Sequence, residues 1–288
     1  MSWEVACTTS AGLGVCGSRR GVMAGHRSPN STAAAYSVAG WAWAGGPSLV
    51  YARLAALLVA ASPVSLADRL VCDVGAGTGV ASRAAVAAGA RVVATDLALG
   101  MLMVDRAHRP SAVLSDATRL PFHDGVFGGL VAAYCYNHLD DPVLGLREAC
   151  RVTAAGGPVL ASAYAEEDTH PVKTASEEAL GEIGWRTPRF YRDLRAGAVP
   201  KLATAERAAA SARSAGLRDV VVELVRVPFP DLTVDDLIEW RLGMAHTAWF
   251  VSGLTPDARV NVVARIRELL GDDVPPLVRS VIHIIALA

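Results

Sequence analysis

One heptapeptide narrows what this chain can fold into more than any other stretch. Asp73-Val74-Gly75-Ala76-Gly77-Thr78-Gly79 completes the short apolar run Leu70–Val74 and opens the helical stretch Ala81–Ala88. Glycines between a strand and a helix accept backbone angles that a Cβ forbids, and they let a ligand lie against the main chain. In the usual dinucleotide fingerprint, Gly-x-Gly-x-x-Gly, the third glycine would fall at Val80. Here the glycines fall at every second residue. That spacing leans away from a pyrophosphate site, although a helix start still favours an anion.

Strand-like and helical segments alternate around this turn. Arg91–Thr95, Ala112–Leu114, Leu130–Cys135 and Val159–Ala163 read as strands; Leu97–Ala107 and Val143–Arg151 read as helices. Such alternation predicts right-handed βαβ crossovers and a parallel sheet. After about Glu166 the rhythm weakens. A helix at Thr204–Ala215, a strand at Asp219–Val227, a helical stretch over 233–270 and a last strand at Val278–Leu287 follow. The expected fold is α/β, a Rossmann-like sheet of seven mostly parallel strands, six one way and one antiparallel, with helices on both faces. Residues 1–30 are expected to be a flexible lead-in, with Met23 a second candidate start. Residues 31–288 would form the domain, with its core at about 67–165. The N-terminal helices (Ser31–Ala61) and two insertions, about 166–202 and 232–276, would make a lid.

Hydrophobic residues make up 52% of the 288, enough for a large core. The formal net charge of −1 supplies no overall field to attract nucleic acid. The first thirty residues lack the apolar centre of a signal peptide. Arg53 and Pro63 interrupt Leu49–Leu66, so that stretch falls short of the roughly 20 apolar residues that span a bilayer. Cys7, Cys16, Cys72, Cys135 and Cys150 form no Cys-x-x-Cys pair and no zinc spacing. They read as reduced cysteines of a cytoplasmic protein, and no metal site is expected.

Two carboxylates follow the glycine turn. Asp96 closes the second strand, 17 residues beyond Gly79, where a carboxylate can accept both hydrogen bonds of a ribose diol. Asp116, followed by Ala117, closes the third, within reach of an adenine amine. Turn and carboxylates converge on the crevice where open α/β sheets bind ligands.

With these pieces in place, Leu70 to about Tyr164 resembles the class I S-adenosylmethionine-dependent methyltransferases, above all the small-molecule branch of ubiquinone and menaquinone biosynthesis. The resemblance rests on Asp73–Gly79, Asp96 with Met101-Leu102, Ser115-Asp116-Ala117, Leu120-Pro121-Phe122, Asn137-His138-Leu139, and Arg147-Glu148 leading to Arg151-Val152 and Gly156-Gly157. It covers about a third of the chain. One departure is Phe127-Gly128, where the family often has Phe-Asp. The resemblance implies S-adenosylmethionine as cofactor. Gly75, Ala76, Gly77 and Gly79 would line its methionine and ribose part, and Asp73 would help hold the methionyl amine through water or the backbone. Asp96 would hold the ribose, Asp116 and Ala117 would meet the adenine, Leu97 would flank its ring, and Met101 and Tyr134 would complete the site.

Methyl transfer from a sulfonium needs alignment above all, and a base only where the acceptor loses a proton. His138, after the fourth strand, is the candidate base, because an unperturbed histidine titrates near neutrality. It is also a candidate for packing alone. Tyr136, His138, Trp185, Tyr191, Trp240, His246 and Trp249 are candidates for lining a pocket for a small, hydrophobic or aromatic acceptor; each is equally able to be core. A cyclase or other non-methylating enzyme on the same fold is the alternative. A binding module and a nicotinamide-dependent oxidoreductase are more distant ones. Neither nucleic acid nor membrane is expected as a partner, and monomer and homodimer both remain open.

Overall fold

The computed structural model describes residues 28–288. All but the last three residues of the expected lead-in, including Cys7, Cys16 and Met23, lie outside them. Seven strands form one sheet: β1 (Leu70–Val74), β2 (Arg91–Asp96), β3 (Ala112–Leu114), β4 (Gly129–Ala133), β5 (Pro158–Tyr164), β6 (Arg218–Phe229) and β7 (Leu277–Leu287). Their order is β3-β2-β1-β4-β5-β7-β6. β1 to β5 pair in parallel, with Val71 beside both Val92 and Gly129. β7 runs antiparallel to β5 and to β6. Six strands therefore point one way and one the other, as the sequence predicts. The chain leaves β1 toward β2 and β3, then returns to add β4 on the other side. The carboxyl ends of β1 and β4 thus border the switch point, where a crevice opens.

Successive residues of the central strands enter opposite cores, which is why these strands read as unbroken apolar runs. On one face, Val159 and Ala161 pack with Leu146 and Ala149 of α5 (Pro142–Val152) and Ala208 and Ala212 of α8 (Ala205–Ser214). On the other, Val71, Val131 and Leu160 pack with Ala55 and Leu58 of α2 (Pro47–Ala60) and Ala81 and Ala85 of α3 (Val80–Ala87). A third core lies toward the carboxyl edge. It joins Tyr51 of α2, Leu180 of α6 (Pro171–Glu182), Trp240 of α9 (Val234–Leu242), Trp249 and Phe250 of α10 (Ala245–Val251) and Ile266 of α11 (Pro256–Leu270). α1 (Thr32–Gly45), capped by the Ser31 hydroxyl, and α7 (Arg189–Gly197) complete the helices around that edge.

Two expected helices differ in extent. The stretch 97–107 is helical only as α4 (Leu99–Met103). Val104 turns extended, and Asp105 takes φ +50°, so the chain doubles back and Arg109 donates to the Gly77 and Met101 carbonyls at 3.0 and 3.2 Å. The stretch 233–270 is three helices. Gly243 presses on α1 and α2, where a Cβ would stand 2.6 Å from Pro47 Cδ and 2.8 Å from the Ala42 oxygen. Met244 then goes extended, and the Thr247 hydroxyl takes up the freed carbonyls of Arg241 and Met244. Among the described residues no single helix is long and apolar enough to cross a membrane.

Candidate active site

The turn after β1 is built for close approach. Gly75, Gly77 and Gly79 take φ of 68°, 55° and 88°, a region that costs other residues strain. At Gly75 a Cβ would also stand 2.5 Å from Cys135 Sγ, since the turn is pressed against the segment leaving β4. Asp96 secures the turn from β2: one carboxylate oxygen accepts from Gly77 N at 2.8 Å and the other from Ala98 N at 2.7 Å. Burial raises the pKa of Asp96, against the pull of those two N–H groups. Asp116, after β3, spends one oxygen on the backbone and hydroxyl of Thr118, both at 2.8 Å. Its other oxygen has no protein donor among the described residues. A cleft lies over these groups. Gly75, Ala76, Gly77, Asp96, Leu97, Met101, Asp116, Ala117, Tyr134 and His138 all line it, and Tyr36 of α1 roofs it.

Two expected members of that set lie elsewhere. Asp73 is fully buried behind the turn, where Ser82 Oγ donates to its Oδ2 at 2.5 Å and ties the turn to α3. Its Oδ1 has no partner, and burial lifts its pKa to about 6. Gly79 is the left-handed residue that starts α3; its missing Cβ faces Arg83 and Ser82, not the cleft.

On the other side of His138 a second chamber lies under α6, α7, α9 and α10. Tyr36, Tyr51 and His138 line both spaces and so form the neck between them. Tyr36 Oη and His138 Nε2 lie 3.2 Å apart, and the other ring nitrogen of His138 is buried without a partner. Tyr51 contacts the Tyr164 hydroxyl. Tyr134 stacks on Tyr164, with centroids 4.7 Å apart, and holds a left-handed φ of 57°. Strain of this kind in a bulky residue persists only where its surroundings over-determine it, and it collects at functional sites.

Of the aromatic and histidine candidates for acceptor contact, His138, Tyr191, Trp240 and His246 line the chamber. Tyr136, Trp185 and Trp249 do not. Tyr136 is fully buried between the sheet and α5, with Gly145 and Leu139 against its ring. The indole N–H groups of Trp185 and Trp249 both donate to the His246 carbonyl, at 3.2 and 3.1 Å, so these two rings pack behind the chamber wall. The candidate base also differs from expectation. Burial lowers the pKa of His138 to about 4, so its imidazole is neutral at pH 7 rather than poised to titrate there.

Residues 72–161 match the family model of the methyltransferase domain. The chain is 37% identical over 112 residues to the demethylmenaquinone methyltransferase of Renibacterium salmoninarum, covering 38% of this chain and 47% of that protein. By this likeness residues 72–161 read as a methyltransferase domain. A second curated relative, the demethylmenaquinone methyltransferase of Streptomyces griseus, is 35% identical over 135 residues, which cover 46% of this chain and 59% of the relative. The chain thus spans about half the length of the curated relatives it matches. Among solved structures, phosphoethanolamine N-methyltransferase 2 of Haemonchus contortus in complex with S-adenosylhomocysteine superposes with a TM-score of 0.53 at 19% identity. The match covers 89% of this chain and 57% of that one, a likeness of fold.

Residues that the sequence did not single out for the site also line the two spaces. Tyr36 and Tyr51 come from the N-terminal helices, and Arg241 and Arg279 enter the second chamber from α9 and β7. The signal for the arginines was present: each falls in a mostly apolar stretch, Ile238–Met244 and Leu277–Leu287. Arg241 and Arg279 are 4% and 2% exposed, and charges are buried so deeply only when partnered.

Proposed function

We propose that this protein transfers a methyl group from S-adenosylmethionine to oxygen, nitrogen or carbon of a small, flat, largely apolar or aromatic molecule. The observation that carries this reading is the pair of spaces joined at Tyr36, Tyr51 and His138. One space has the turn and two carboxylates of the methyltransferase domain; the other has aromatic walls. The cleft fits the cofactor's parts: Gly75 and Gly77 leave room at the main chain, Asp96 presents a buried carboxylate, and Asp116 keeps one oxygen unspent. In this reading Asp96 holds the ribose hydroxyls, Asp116 and Ala117 meet the adenine, and Leu97 and Met101 flank it. Asp73 acts through the turn by way of Ser82.

When bound, S-adenosylmethionine supplies a methyl carbon already activated by a positive sulfur. What remains for the protein is alignment and exclusion of water, which can be worth about 7–11 kcal/mol of barrier. The Tyr36–His138 pair at the neck orients the acceptor atom. A neutral His138 accepts a hydrogen bond from an acceptor hydroxyl. Although weak as a base, it suffices to take the proton late in transfer, when the alkylated oxygen has become a strong acid. The curated relatives are methyltransferases, which supports methyl transfer over the cyclase alternative. A cytoplasmic location and a single small-molecule partner belong to the same proposal.

Titration calorimetry is expected to give a micromolar dissociation constant for S-adenosylmethionine. Incubation with methyl-labelled cofactor and a metabolite extract is expected to yield labelled products heavier than their precursors by one methylene. Cofactor binding with only unshifted, rearranged products would favour the cyclase; no binding would defeat both.

A further inference from the structure

The second chamber is aromatic, but its inner wall is also cationic. Asp168 gives both carboxylate oxygens to Arg279, at 2.7 and 2.8 Å, and also receives Lys173 Nζ at 2.7 Å. Arg241 reaches Glu177 only at 3.4 Å, and its other contact is His246 Nε2 at 3.1 Å. A guanidinium can only donate, so Nε2 accepts and the ring proton sits on Nδ1. His246 is neutral, since burial and then the charges of Arg241 and Arg195 hold its pKa well below the ordinary range. Three cations therefore share two carboxylates. Arg195 at the same wall adds a fourth, while Glu166 turns to Arg207. Lys173 feels the surplus: burial and the nearby Arg279 bring its pKa down to about 8.

Two buried N–H groups also go unused. Arg241 Nε and Arg279 Nη1 have no acceptor, although the residues are almost fully buried. An unmatched buried donor on a charged group is costly, and an anion entering the chamber offsets both the missing acceptor and the excess charge. Trp240 lies between the two arginines, whose guanidinium carbons stand 5.4 and 4.8 Å from its ring centroid. A flat molecule bearing a charged group meets, at this place, an aromatic face and cations together.

We propose that the acceptor is an acid: a flat, conjugated body carrying an oxyanion, carboxylate or phosphate ester, that Arg241 and Arg279 hold inside the second chamber while the body reaches the neck at Tyr36 and His138. The inference rests on the methyl-transfer reading only in calling the ligand an acceptor. Arg279 also ties β7 to the Asp168 loop, so its replacement endangers the fold; Arg241, whose carboxylate partner is distant, is the better test.

Protein saturated with S-adenosylhomocysteine is titrated with 2-naphthoate, 2-naphthamide and 2-naphthyl phosphate. Each anion is expected to bind at least about tenfold more tightly than the amide. A preference between the anions identifies which acid the chamber fits. In Arg241→Gln the gap is expected to shrink below about threefold, with S-adenosylhomocysteine affinity within twofold of wild type. Equal binding of amide and anions, binding of none at millimolar concentration, or an undiminished gap in a folded Arg241→Gln protein would overturn the proposal. Failure of S-adenosylhomocysteine to bind at all would instead count against the methyl-transfer reading. Should Arg241→Gln fail to fold, the wild-type comparison decides alone.

Discussion

Asp96 concentrates several demands on one carboxylate. It pins the turn through Gly77 N, caps the turn into α4 through Ala98 N, and faces the cleft. Each oxygen retains acceptor capacity after one backbone bond, so a ribose hydroxyl competes with nothing already there. Asp96→Ala is expected to weaken S-adenosylmethionine binding by about 1.5–3 kcal/mol, roughly ten- to a hundredfold by calorimetry, while Asp96→Asn, which keeps one acceptor, loses less. Unchanged affinity in both variants would remove Asp96 from the cofactor site. Much of this cleft was legible in sequence, because residues at the carboxyl ends of consecutive parallel strands converge whatever the loops do. Asp96, Asp116 and Tyr134 are such residues. The direction of the Asp73 side chain was not legible, because a strand-end carboxylate points to whichever donor packs nearest, and that donor, the Ser82 hydroxyl, lies nine residues on in the first turn of α3.

At the scale of elements, β1 to β5 lie where their apolar runs predicted, and so does β7, which proves to be the one antiparallel strand of the expected seven. The helices over the carboxyl edge were less legible. Their placement depends on contacts between segments far apart in sequence, and each of their aromatic rings suits a core as well as a pocket; hence Trp185 and Trp249 are wall supports. α1 shows the kind of contact that decides such placement. It crosses α4 so closely that a Cβ on Gly100 would stand 1.9 Å from the Ser37 carbonyl oxygen. That crossing sets Tyr36 over the cleft. Gly100→Ala must push α1 outward or strain it, at a cost of about 1–3 kcal/mol. The expected result is a melting temperature lower by a few to about ten degrees, with weaker cofactor binding. A variant that melts like wild type and binds equally well would mean that α1 tolerates displacement and does not roof the site.

Over the whole molecule, burial of histidines makes acid a specific stress. Burial brings the pKa of His138 to about 4 and that of His246 well below the ordinary range, and it lowers His170 and His283 as well. In the unfolded chain each returns to about 6.5. Below pH 6.5 the unfolded state therefore binds protons that the folded state refuses, and stability falls as pH falls through the window from 6.5 to 4 for His138. Asp73 works in the opposite sense. With a folded pKa of about 6 it binds its proton sooner than the unfolded chain, so it gains stability as pH falls from about 6 toward 4. Asp96, whose pKa burial also raises, acts in the same sense as Asp73; four histidines outweigh these two carboxylates, and denaturant midpoints are expected to decline from pH 7.5 to pH 5. The share of His138 between those two values is about 2 kcal/mol, since its titration when folded lies below both. His138→Gln, which keeps a polar group beside Tyr36 but cannot take up a proton, should lose that share of the pH slope. Its stability at pH 5 would then stand closer to its stability at pH 7.5 than in the wild type. Parallel pH profiles of the two proteins in urea titrations would mean that the imidazole is protonated within the fold, and that the neck between the two spaces is wetter than its packing implies.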